Sequence, residues 1–145
     1  MELCKLIIAR GDEVIATCRK TSSELNKLGV RIEEDVDISS EKSITILREK
    51  LLGLKLDCLI HNAGIFEYNS LDDLDQQSIL RQFVVNALSP LILTKYLKVF
   101  LKKSSKIAFI TSRMGSISDN SSGSSYGYRM SKVALSMAAK SLSKD

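Results

Sequence analysis

The sequence predicts an α/β protein built on a doubly wound parallel sheet. Short apolar, strand-like runs alternate with segments of helical periodicity, the sequence form of βαβ units. A loop rich in Ser, Gly and Asn, residues 112–125, follows a buried strand, and such sheets bind ligands beyond their strands' carboxyl ends. The 145 residues are 44% hydrophobic and 26% charged, enough apolar material for one domain's core and too much for intrinsic disorder.

The elements follow in order. Residues 1–10 have helical spacing (Leu3, Leu6, Ile7) and run into a turn at Gly11-Asp12. Residues 13–18 read as a strand, and Ser22 or Ser23 caps a short helix that ends at Gly29. A weaker strand covers 30–36. Ser39 or Ser40 then caps a helix with Ile44, Leu47, Leu51 and Leu54 on one face. Leu56–His61 is a buried strand. A long helix spans about 76–101, apolar on more than one face (Ile79, Phe83, Val84, Leu88, Leu91, Ile92), so it is expected to be buried. A strand over 106–111 and a last helix from near Tyr126 complete the chain.

Charge and cysteine content narrow the function classes. Twenty-one Lys and Arg against seventeen Asp and Glu give +4, but the basic residues are scattered. The tightest cluster, Lys102, Lys103 and Lys106, reads as a solvated helix end, so no nucleic-acid partner is expected. No run of about 18 apolar residues exists, and the apolar stretch in Met1–Ala9 is too short for a signal peptide. No membrane partner is therefore expected, and the cytoplasm is the default location. Cys4, Cys18 and Cys58 are dispersed with no C-x-x-C, which fits buried thiols in a reducing compartment rather than disulfides or a metal site.

Tyr128 and Lys132 lie four apart on the last helix and share a face. A phenol doing acid–base work near neutral pH must titrate well below its free value, and a neighbouring ammonium favours phenolate. That spacing alone is common. Its weight comes from three further motifs in order: Asn62-Ala63-Gly64 directly after a strand, Asn86 in the long helix, and Ser112 at the end of the next strand, in Ile110-Thr111-Ser112-Arg113-Met114-Gly115.

In this order and spacing the chain resembles the short-chain dehydrogenase/reductase family over essentially its whole length. Ala16-Thr17-Cys18-Arg19 and Tyr126-Gly127-Tyr128-Arg129 bring it nearest to NADP-dependent carbonyl reductases of the C-factor or sniffer type. The resemblance implies a single NAD(P)-binding Rossmann-like domain over 1–145 and hydride transfer between a nicotinamide and a small carbonyl or alcohol. It implies Tyr128 as general acid/base, Lys132 as its pKa-lowering and ribose-holding partner, Ser112 as the group bonding the substrate carbonyl, and Asn86 in a water-linked relay. Ser112 precedes Tyr128 by sixteen residues, more than the family's usual gap, so Ser116 is a rival. Pro90, four residues beyond Asn86, has no N–H to bond the Asn86 carbonyl, which would leave it for water.

For the cofactor, Arg19 and Lys20 after strand 13–18 suit a ribose 2′-phosphate, so NADP is expected over NAD. Asp37 resembles the family's adenine-contacting aspartate, with a helix N-terminal acid as its plainer role. Asn62, Ala63 and Gly64 match the segment against which adenosine packs. The family's Thr-Gly-x-x-x-Gly-x-Gly turn, which seats pyrophosphate on a helix N-terminus, is absent. The expected sheet is therefore partial, lacking its first strand, between 13–18 and 56–61, and its last strands. The chain reads as a truncated sequence, and the substrate loop lies beyond Asp145. Self-association as a homodimer or homotetramer through helices 76–101 and 126–143 is what the resemblance implies. Two other readings remain open at this point: a non-catalytic nucleotide-binding relative, and a hydrolase suggested by the G-x-S-x-G pattern at Gly123–Gly127. The hydrolase lacks a strand before the serine, and the one histidine, His61, lies upstream rather than after it.

Overall fold

The computed structural model describes residues 1–145. The chain forms two compact units, Met1–Lys50 and Leu51–Asp145, each taken by itself below.

The first unit opens with α1 (Glu2–Ala9), and the chain turns at Gly11 with φ +84. β1 (Ile15–Thr17) and β2 (Arg31–Glu33) pair in parallel, Ile15 opposite Arg31 and Thr17 opposite Glu33. The ladder continues past both strands: Cys18 N donates to Glu33 O and Val36 N to Cys18 O, each at 3.0 Å. Between the strands, α2 (Ser23–Asn26) is capped by Ser22, whose hydroxyl accepts the Leu25 N–H at 3.2 Å. Ser40 does the same for α3 (Glu41–Lys50), accepting the Ser43 N–H. Ile44 and Leu47, one turn apart on α3, are buried along with Ala16 and Val36. Burial pushes the Glu33 carboxyl up, but Arg31 at 2.7 Å and Lys50 at 3.3 Å outweigh it and hold it below the usual glutamate range.

The second unit is a βαβ layout. β3 (Leu56–His61) and β4 (Leu101–Phe109) run parallel, Cys58 opposite Lys106 through His61 opposite Phe109. β4 begins five residues earlier than the sequence suggests. Its first part is a bulge: Leu56 opposes Leu101, while Ser105 accepts the Lys102 N–H at 2.7 Å and donates to Leu56 O. Lys102, Lys103 and Lys106 therefore sit on a strand rather than at a helix end, with Lys102 paired to Asp57 at 2.7 Å. The thiols are also less buried than expected, Cys58 being exposed on β3 and the other two half-buried.

The crossover is a continuous helical run of four parts: α4 (Gln76–Phe83), a π turn (Val84–Leu88), α5 (Ser89–Leu97) and a 3₁₀ turn (Lys98–Phe100). Asp75 caps it at Gln77 N, 2.8 Å. The π turn falls where Pro90 removes a donor, so the helix widens instead of breaking. By length and mean composition this 25-residue run is apolar enough to cross a bilayer, which corrects the expectation that no segment is. It is not buried all round, however. Leu80, Phe83, Leu88 and Leu91 are exposed, while the inward stripe begins with Ser78, Gln82 and Asn86 before it becomes Leu93 and Leu97.

Those polar side chains face inward because they satisfy a loop's backbone. Asn86 accepts from Ile65 N (2.8 Å) and donates to Ile65 O (2.9 Å). One turn back, Gln82 accepts from Glu67 N (3.0 Å) and donates to Glu67 O (3.1 Å). Two amides spaced four apart on a helix thus stand in for a neighbouring strand against alternate residues of the loop after β3. The last helix, α6 (Tyr126–Leu142), packs on α4 at Gly127. A Cβ there would stand 2.7 Å from Gln82 Nε2 and 3.0 Å from Ile79 Cα. Gly127→Ala should accordingly lower the urea midpoint by an amount equivalent to about 1–3 kcal/mol.

Candidate active site

Four segments of the second unit meet around Lys132: the end of β3 with Asn62-Ala63-Gly64, the π turn carrying Asn86, residues 110–115 after β4, and α6. Lys132 is 4% exposed, and its Nζ donates to Ile110 O at 2.9 Å. Its desolvation pulls the ammonium below the ordinary lysine value. A Cβ on Gly64 would lie 3.5 Å from Lys132 Nζ and 3.1 Å from Asn86 Oδ1, so a side chain there would press on the Asn86 amide by a few tenths of an ångström. Asn86 is wholly buried and uses its remaining N–H on Ser131 Oγ at 2.9 Å; Ser131 in turn donates to Tyr128 O at 2.7 Å.

Tyr128 lies one turn before Lys132 with its ring centroid 5.6 Å from Nζ, and Phe66 meets the ring edge-on at 5.0 Å. Ser112 begins a 3₁₀ turn (Arg113–Gly115), and its Oγ accepts the Met114 N–H at 3.2 Å, leaving its O–H to donate. The residues on both sides of Ser112 touch Lys132. Ile110 O accepts a hydrogen bond from its Nζ, and a Cβ on Gly115 would stand 3.0 Å from its Cβ. The rival Ser116 is occupied locally, facing Ser118 Oγ at 3.3 Å and accepting from Asp119 N at 3.3 Å.

Arg19 and Asp37 belong to the first unit. Both are exposed beyond the ends of β1 and β2. The Asp37 carboxylate accepts from Ser39 Oγ (2.6 Å) and Ser39 N (2.9 Å), and these bonds, with Arg19 as a weaker influence, hold it below the usual aspartate range. These bonds close a turn ahead of α3, whose cap is Ser40, so Asp37 is not the helix N-terminal acid of its plainer reading. No group of three or more His, Cys, Asp or Glu could hold a metal ion.

The G-x-S-x-G pattern is not built as a nucleophile elbow. Gly123, Ser124 and Ser125 are consecutive left-handed residues (φ +63, +52 and +51) preceded by turns, not a strand. Holding two serines there costs about 1 kcal/mol or more each. Arg129 braces this run, donating to Gly123 O (3.2 Å), Ser124 O (3.0 Å), Ser122 Oγ (2.8 Å) and Met114 O (3.4 Å). Met114, Ile117, Tyr126, Met130 and Val133 line a cleft of about 420 Å³ between this loop and the outer face of α6.

Sequence reasoning missed Ser131, Gln82, Asn69 and the brace Arg129. Buried amides four apart in an otherwise apolar helix were the available signal.

His61 closes β3 beside this site. Its Nε2 lies 2.8 Å from Thr94 Oγ1, which itself donates to Pro90 O, so Nε2 carries the proton. The ring stacks on Phe109 at 4.7 Å, and burial drops its pKa to about 4. The folded state thus binds fewer protons than the unfolded state, and stability is lost as pH falls from the free value of about 6.5 towards 4. Between pH 7 and 5 this group alone should remove about 2 kcal/mol. Urea midpoints at the two pH values, with His61→Gln as control, should show a smaller drop in the variant.

A model of the short chain dehydrogenase family matches residues 1–145. The 1-hydroxy-2-glutathionyl-2-methyl-3-butene dehydrogenase of Rhodococcus sp. (strain AD45) is 38% identical over 130 residues, 88% of this chain and 58% of the relative. C-signal of Myxococcus xanthus is 43% identical over 93 residues, 62% of this chain and 56% of the relative. The chain therefore spans a little over half the length of these curated relatives. Among solved structures, a carbonyl reductase from Pseudomonas aeruginosa PAO1 in complex with NADP superposes with TM-score 0.85 at 27% identity, covering 97% of this chain and 68% of that one.

Proposed function

The chain belongs to the short-chain dehydrogenase family, and from that premise we propose that the whole protein is an NADP(H)-dependent oxidoreductase interconverting a carbonyl and an alcohol. The observation that carries this reading is the buried Lys132 ammonium, set between the Gly64 backbone and the Tyr128 ring with the segment of Ser112 packed against it.

In this reading Ser112 donates its O–H to the substrate oxygen, and Tyr128 gives that oxygen a proton in reduction or takes one in oxidation. Lys132, with its Nζ 5.6 Å from the Tyr128 ring centroid, is the positive charge beside the reacting group. It has three donors and spends one on Ile110 O, leaving others for a ribose or a water. Asn86 fixes the loop that carries Gly64, and its carbonyl at the π turn is assigned to a water-linked relay.

The residues present fit NADP at two places. The exposed Asn62-Ala63-Gly64 backbone, open to close approach at Gly64, would pack against adenosine, with Tyr128 and Lys132 beside the nicotinamide end. Arg19 would meet the 2′-phosphate, and Asp37 would contact adenine. When bound, the nicotinamide supplies or accepts the hydride. Residues 1–145 include no Gly-rich pyrophosphate turn. The family model runs through both units, which supports reading them as parts of one NAD(P)-binding domain. The substrate is a small carbonyl or alcohol, the setting cytoplasmic, and self-association would use helices 76–101 and 126–143, where Leu80, Phe83, Leu91, Met130 and Met137 are exposed.

With the full natural chain, NADPH oxidation across a panel of aldehydes and ketones should be detectable. It should fall at least about 100-fold in kcat for Tyr128→Phe. NADPH binding with no turnover on any carbonyl would reassign the protein as a nucleotide-binding relative. Arg19→Glu should weaken NADPH binding about tenfold or more while sparing NADH, as read by cofactor fluorescence.

A further inference from the structure

The helix that carries Tyr128 does not cap itself. Ser125 precedes its first residue and is the residue type that usually caps, yet at φ +51 and ψ +41 it is left-handed and makes no side-chain cap bond. The first-turn N–H groups nonetheless need acceptors. One comes from Asn69, 58 residues earlier, in the loop that Asn86 and Gln82 clamp. Asn69 Oδ1 accepts the Gly127 N–H at 3.3 Å, and Asn69 O accepts the Ser125 N–H at 2.7 Å. Asn69 is 1% exposed, and its Nδ2 has no partner. That orphan fixes the amide's orientation: turned over, it would present N–H to the Gly127 N–H and lose the cap. An unpaired buried donor is destabilising, and its retention here points to the acceptor as the atom in use.

We infer that Asn69 is a positioning residue: its side-chain oxygen serves as the N-cap of α6 from another part of the fold and fixes where Tyr128 stands relative to the Asn62–Gly64 segment. The loop contacts Tyr128 directly through Phe66, three residues before Asn69, so one segment both caps the helix and holds the ring edge. This inference rests on the functional reading above for its consequence in turnover, but not for its structural core.

The test therefore reads the cap first and catalysis second. In the unmodified protein the Gly127 amide should be protected from hydrogen exchange, although a first-turn amide has no partner within its own helix. Asn69→Ala should speed Gly127 exchange about five- to tenfold and shift the Tyr128 ring resonances, assigned with Tyr128→Phe. Asn69→Asp keeps an acceptor oxygen and deletes the unused donor, with a charge that the helix N-terminus favours and burial opposes, so, followed from pH 7 down through protonation of the new carboxyl, it should restore both signals. Turnover in the full natural chain should follow the same order through kcat, with KM for NADPH unchanged. An unprotected Gly127 amide in the unmodified protein overturns the cap whether or not any variant folds. So does an Asp variant that matches the Ala variant. Faster Gly127 exchange with an unmoved Tyr128 ring overturns the positioning role. Absence of turnover in the unmodified protein with the exchange pattern intact counts against the oxidoreductase reading and leaves the cap standing.

Discussion

The second unit depends on one constraint: the backbone between β3 and α4 passes over the crossover helix at Ile65 and Glu67 with no strand beside it. Buried N–H and C=O groups need partners, and here the partners are side-chain amides. Asn86 and Gln82 each give one donor and one acceptor to Ile65 and Glu67, replacing the missing ladder bond for bond. Either residue as Leu would suit the apolar helix better in isolation, yet would strand two backbone groups. The polar stripe follows from that debt of hydrogen bonds. So does the close approach of α6, since Gly127 must lack a side chain to pass Gln82 and Ile79.

The electrostatics of the site follow from the same packing. Lys132 is drawn into a nearly dry position by the Gly64 and Gly115 backbones, and its single protein acceptor is a carbonyl rather than a carboxylate. An ammonium without a counter-charge exerts a field that nothing local cancels. His61, at the end of β3, is kept neutral by burial, so it adds no competing charge near physiological pH.

Much of this was legible in the sequence, for identifiable reasons. Period and caps located α2, β3, α3 and α6 closely because Cys58-Leu59-Ile60 gives the strand an apolar centre and Ser22 and Ser40 act through local geometry. The Tyr128–Lys132 pair needed only the helical repeat. The start of β4 was hidden because Leu101–Ser105 continues the helix's apolar-basic pattern and becomes strand only through the Ser105 bulge. The i,i+4 spacing of Gln82 and Asn86 was visible but their loop partners were not, and the role of Asn69 had no local signature because its partner lies far along the chain.

Arg129 anchors the loop 122–124 without using an acidic partner: three of its four acceptors are main-chain carbonyls. Every amino acid offers a carbonyl, so this attachment places almost no demand on what the loop's side chains are. Within the limits that φ +63 and +52 set at positions 123 and 124, residues 114, 123 and 124 can be exchanged while the guanidinium keeps its grip. Variation at the rim of the neighbouring cleft is thereby uncoupled from the geometry of the helix beneath it. A lysine at 129, with no planar fork, would forfeit that freedom.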